Sequence, residues 1–250
     1  MDSIGAALGP LIALIYLKYH SDLRSIFYWA FIPGIFAVAL VFGVKEKAPE
    51  KKMVRSALPA FSFSSFSKEF RFYLGSWSLF SLANSSDVFL LLKVKSLGVS
   101  LNTTILMYCF YNLIYAVLSP YLGILSDRWP RKWLLSLGLG VFALTYFGFA
   151  HTTQVEMFWL LFGIYGIYMA ATDGVGKAFA VDLLPQNMTA TGLGVLGTCT
   201  GIASLFASIA AGFIWDHLGA SATFYFSALV AASSALIILF FLKIPNPPKV

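Results

Sequence analysis

The residues equipped for chemistry in this sequence are few, and most stand inside or between long apolar runs. The densest group lies in Tyr121-Leu-Gly-Ile-Leu-Ser-Asp-Arg-Trp-Pro-Arg-Lys-Trp133, where one carboxylate, Asp127, meets three cations, Arg128, Arg131 and Lys132. Such a group can tie a helix junction together with charge-assisted hydrogen bonds. The plainer reading is a solvated turn whose cations only orient the flanking helices. Gly123, one turn earlier, would allow close approach of two helices, or simply packing at a helix end.

A second set lies within the runs themselves. Asn84, Ser85 and Asp87 interrupt an otherwise apolar stretch, and an unpaired charge in a bilayer is costly and usually functional. Asp87 is a candidate proton or substrate-cation site; the alternative is a structural pair with Lys93, Lys95 or a neighbouring helix. Tyr108, Asn112, Tyr115 and Ser119 recur at helical spacing, a polar aromatic stripe. Asn112 falls near the middle of its run, where transporters bind substrate, although hydrogen bonding between packed helices explains it equally well. Another run carries Tyr165, Tyr168, Asp173 and Lys177. Its last two residues are four apart, a spacing that favours an ion pair with a structural or gating role. The candidate pathway is therefore Asn84, Asp87, Asn112, Tyr115 and Tyr165.

The composition explains why these groups stand out. Hydrophobic residues make up 59% of the chain and charged residues 11%, with a mean hydropathy of +0.80. Soluble domains carry about 25% charge, so lipid must be the solvent here. The net charge of +6 does not suggest nucleic acid, because the cations cluster between apolar runs. Cys109 and Cys199 stand alone in apolar surroundings and read as buried free thiols, neither disulfide nor metal ligands. No phosphate-binding glycine loop, Cys/His cluster or Ser-His-Asp arrangement stands in a polar segment. The expectation is no enzyme, no cofactor and no metal.

A spanning helix needs about 20 apolar residues. By that ruler the candidates are 1–18, 24–43, 71–92, 101–123, 132–150, 155–179, 188–213 and 221–242. The fold class expected is all-α and polytopic, with about eight transmembrane helices. Residues 1–44 form two helices, 45–70 a basic linker, 71–243 a six-helix unit and 244–250 a tail. With the linker on the cytoplasmic side, that side receives 13 of the 17 Lys and Arg residues. This bias puts both termini in the cytoplasm of a cell-membrane protein. On one helix, Gly197, Gly201, Ser204, Ser208 and Gly212 form a small-residue face expected to pack tightly against a neighbour. The end of that helix, Gly212-Phe-Ile-Trp-Asp216, echoes Gly123-Ile-Leu-Ser-Asp127, as an inverted repeat would require.

The order Gly123-x-Leu125-x-Asp127-Arg128-x-x-Arg131-Lys132 resembles the loop signature of the major facilitator superfamily of secondary transporters. Ser3-Ile-Gly5-Ala-Ala-Leu-Gly9-Pro10 resembles the glycine-rich pattern of that family's fifth helix, and Phe31-Ile-Pro33-Gly34 is similar to its sixth. There are departures. Pro130 stands where the family usually has glycine, and Pro185-Gln-Asn-Met-Thr189-Ala190 lacks the family's Arg-Gly pair. The resemblance implies a partial major-facilitator fold: the last two helices of an N-terminal half, the central loop, and a six-helix C-terminal bundle. It also implies alternating-access transport of a small solute, with a coupled proton as a further partner. In the family, the basic loop is thought to latch the two halves. Four helices of the same transporter would be missing, so residues 1–250 alone are expected not to transport; a scaffold or truncated relic is the alternative.

Overall fold

The computed structural model describes residues 2–19, 23–43 and 63–242. Every regular element in these residues is helical: α1 (Asp2–Tyr19), α2 (Leu23–Phe42), α3 (Lys68–Ala83), α4 (Val88–Ser96), α5 (Leu101–Arg128), α6 (Arg131–His151), α7 (Val155–Asp182), α8 (Thr189–Leu218) and α9 (Ala220–Phe241). Residues 45–62 of the linker and the whole tail, 244–250, lie outside the described residues.

Local chemistry sets the helix ends. Ser67 accepts a hydrogen bond from the Phe70 amide and starts α3, and Ser100 does the same for α5 through the Thr103 amide. These side chains satisfy amides that have no partner within the helix. Gly98 (φ +83°) and Gly219 (φ +88°) make the tight reversals before α5 and α9, a backbone region that penalises any side chain.

α3 to α9 form one bundle. α6 runs antiparallel to α9: Lys132 meets Leu242 at one end, and the Phe147 and Tyr225 rings lie 5.5 Å apart at the other. α7 packs between α5 and α6, α3 lies against α8 and α9, and α1 rests on α5. The centre is aromatic. Phe142, Tyr146, Phe149, Phe158, Phe162, Tyr165 and Phe224 are fully buried. Glycine brings the helices close enough for this: a Cβ at Gly138 would lie 2.5 Å from Thr172 Cγ2, and one at Gly166 2.6 Å from the Tyr111 carbonyl oxygen.

α5 to α9 are each long and apolar enough to cross a bilayer. Large apolar side chains cover the outside, Leu144 and Phe240 among them. This is the surface expected of a protein solvated by lipid. Three expectations need correction. The run 71–92 is not one helix; it is broken at 84–87, where the Ser86 side chain accepts from the Val88 amide at the start of α4. The runs ending at 123, 179 and 213 continue as helix to Arg128, Asp182 and Leu218. A hydropathy ruler stops at the first charges, whereas a helix tolerates a polar last turn. Finally, the small face of α8 does not pack tightly within the bundle. A Cβ at Gly197 or Gly201 would meet nothing within 4 Å, and one at Gly212 would only touch Phe89 at 4.0 Å.

Candidate functional site

The break at 84–87 presents Asp87 to the bundle. Both of its carboxylate oxygens are taken: Tyr111 on α5 donates to Oδ2 at 2.6 Å, and Tyr165 on α7 donates to Oδ1 at 2.7 Å. Three separate stretches of chain thus meet at one half-buried carboxylate. Neither Lys93 nor Lys95 reaches it, so the lysine pairing considered from the sequence is replaced by two phenols. The rings of Tyr146 and Tyr168 lie 6.2 and 5.2 Å from that of Tyr165. The Tyr146 hydroxyl is buried and has no hydrogen-bond partner among the described residues. The break's backbone is also provided for, since the Ser86 amide donates to Ser208 Oγ on α8 at 3.2 Å.

Beside the break lies a cavity of about 400 Å³ between α3, α7 and α8. Trp77, Phe80, Tyr168 and Met169 supply apolar and aromatic walls, while Asn84, Thr172, Asp173, Lys177 and Ser204 supply polar groups. Asp173 binds Lys177 at 3.0 Å, and it also accepts from Tyr115 of α5 at 2.8 Å. The predicted pair therefore exists and lines the cavity, a position the sequence did not indicate. Asn84 lines it too. Asn112 does not: it is 2% exposed and donates to the Tyr108 carbonyl of its own helix at 2.9 Å.

The residues named around the basic turn are mostly helical. Gly123, Asp127 and Arg128 belong to α5, Arg131 and Lys132 to α6, and only Trp129 and Pro130 lie between. Arg131 is the hub. It binds Asp127 at 2.8 Å and Asp182, at the end of α7, at 2.7 Å, and it donates to the Ala178 carbonyl at 3.1 Å. Lys132 turns the other way and donates to the Leu242 carbonyl at the end of α9. Arg128 is exposed and has no carboxylate partner among the described residues. No helix closes on Gly123, where an added Cβ would meet nothing within 4 Å; it lines a small gap between α5 and α7.

Sequence reasoning missed Tyr111 and Asp182. Tyr111 is one turn from Tyr108 but off the stripe through Asn112, and only the break reveals what it serves. Asp182 lies beyond the run ending at 179; an acid left over after that run, facing an excess of basic residues, was the available signal.

A helical bundle with an apolar outside, a broken helix carrying a half-buried carboxylate and a cavity of mixed apolar and polar lining is the architecture of a polytopic membrane protein. The major facilitator superfamily profile matches residues 72–250, and the chain belongs to that family. It is 30% identical over 247 residues to an uncharacterised MFS-type transporter of Methanocaldococcus jannaschii, a match covering 96% of this chain and 61% of that protein. It is 29% identical over 163 residues to the multidrug resistance protein MdtG of Klebsiella pneumoniae, covering 62% of this chain and 39% of MdtG. An uncharacterised transporter of Buchnera aphidicola is 26% identical over 132 residues, 52% of this chain and 33% of the relative. The chain thus spans about three-fifths of the first of these relatives and less of the others.

Proposed function

We propose that this chain forms most of a secondary transporter that moves a small solute by alternating access, with Asp87 as the group that takes up a coupled proton. The observation carrying this reading is the carboxylate held by two phenols in a helix break beside an open cavity. A proton on Asp87 would remove the charged acceptor of both phenols, turn one of its oxygens into a donor and loosen α4 from α5 or α7, a differential contact of the kind a ligand needs to shift a conformational equilibrium. The cavity is one wall of a path. A second helical unit facing α3, α7 and α8 would complete it, and α1 and α2 are the part of that unit this chain contains. Asp127, Arg131 and Asp182 act as the latch at the basic end, with Asp173 and Lys177 nearer the solute. The cation distribution supports a cell-membrane protein with both termini in the cytoplasm.

The name of the Klebsiella relative makes an amphipathic drug-like molecule the first solute to test, and the walls of Trp77, Phe80 and Tyr168 suit one. The test is uptake by the full-length protein in proteoliposomes with an imposed pH gradient. Asp87→Asn should abolish gradient-driven accumulation and spare solute exchange at equal concentrations, which moves no net proton. Undiminished accumulation by Asp87→Asn would sink the coupling role. No movement of any solute by a folded full-length protein would favour a scaffold.

A further inference from the structure

We propose that the groove between α6 and α9 holds one glycerophospholipid with an anionic headgroup. This site is separate from the transport cavity and does not depend on the transport reading. The groove encloses about 380 Å³, and its exposed rim includes Leu137, Leu144 and Leu236, the surface that faces the bilayer. Its floor is opened by Gly140 and Ala235, and a Cβ at Gly140 would meet nothing within 4 Å.

The polarity along α6 follows that of a phospholipid. Lys132, Ser136, Gly140 and Leu144 are four residues apart and form one stripe, each step about 6 Å along the axis. The cation is at the end of the helix, a hydroxyl comes one turn deeper, and apolar groove follows. Lys132 donates to the Leu242 carbonyl and has no carboxylate partner among the described residues, so donors and a full charge remain for an anion. Ser136 is 7% exposed, lines the groove, and its hydroxyl has no hydrogen-bond partner among the described residues. That is unusual for a helical serine in an apolar setting, which ordinarily bonds back one turn, as Ser76, Ser81 and Thr145 do here. A phosphate oxygen at Lys132, an ester carbonyl at Ser136 and an acyl chain over Gly140 and Leu144 satisfy all three levels. Trp133 at the mouth suits the bilayer interface.

The test uses the full-length protein, stripped of lipid, titrated with palmitoyl-oleoyl phosphatidylglycerol or the matching phosphatidylcholine and read by native mass spectrometry. One phosphatidylglycerol should bind saturably and about tenfold more tightly than phosphatidylcholine. Lys132→Gln should bring that ratio to about one. Ser136→Ala and Gly140→Leu should each weaken binding several-fold, the first by removing the donor and the second by filling the groove. Two variants are used so that one that keeps the wild-type melting temperature suffices. Non-saturating binding, no preference for the anionic headgroup, an unchanged ratio in Lys132→Gln, or unchanged affinity in a variant with wild-type melting would each overturn the site.

Discussion

Arg131 does what no lysine in its place could do. Its two terminal guanidinium nitrogens hold Asp127 and Asp182 at once, and one of them also reaches the Ala178 carbonyl. A planar fork satisfies several acceptors from fixed positions, whereas an ammonium is a single point charge. Arg131→Lys should therefore release one of the two acids. With both partly exposed, the stability loss should be about 1 kcal/mol, read as a small fall in melting temperature. The larger effect should be on conformation: a reporter cysteine on the cavity wall of the full-length protein should change its labelling rate. An equal change from Arg128→Lys, which touches no carboxylate, would show that the paired acids at Arg131 are not what holds the conformation. At this scale the sequence was partly legible. Asp127 and Arg131 announced themselves as charges in a short gap. Asp182 did not, because its pairing depends on where the end of α7 meets the start of α6. Likewise Asp87 was visible as an expensive charge, but its partners were set by backbone geometry that no spacing rule reveals.

Among the helices, the contact between α5 and α7 is the most sensitive to volume. Gly166→Ala would place a methyl 2.6 Å from the Tyr111 carbonyl oxygen, and backbone cannot step aside as a side chain can. The two helices should separate, costing about 1–3 kcal/mol as overpacking does and pulling Tyr111 and Tyr165 out of register at Asp87. Thermal unfolding in detergent should show the loss, and gradient-driven uptake should fall with it. Gly201→Ala, where the new methyl meets nothing within 4 Å, should leave the melting temperature unchanged or slightly raised. Hydropathy located most of these helices. It could not see that 71–92 is divided, because Leu and Phe on both sides of the break average to one apolar run. Nor could it tell a glycine that another helix touches, such as Gly166, from one left open, such as Gly201. Both kinds have the same spacing, and only the packing distinguishes them.

For the molecule as a whole, the ends of the bundle differ in charge. Ser67 bonds the Leu183 carbonyl, Arg131 binds Asp182 and Lys132 reaches Leu242, so the starts of α3 and α6 and the ends of α7 and α9 share one end. In a background without Cys109 and Cys199, Arg128→Cys should react with a membrane-impermeant maleimide only after the inner face is exposed. Lys95→Cys should react from outside; the reverse pattern would overturn the orientation read from the cations. The two echoed segments also fall at opposite ends: Trp215, beside Asp216, packs on Phe89 of α4, while Asp127 is held at the α6 end. The break between α3 and α4 has one more consequence. The Ser86 amide there is pinned by Ser208 of α8, so the joint's backbone is fastened to the helix opposite by a removable hydroxyl. A chain bent there works as a hinge with a pin: Ser208→Ala should let the two segments swing more freely, about 0.5–1.5 kcal/mol cheaper to unlatch, and amide exchange at Ser86 should quicken while the rest of the bundle keeps its protection.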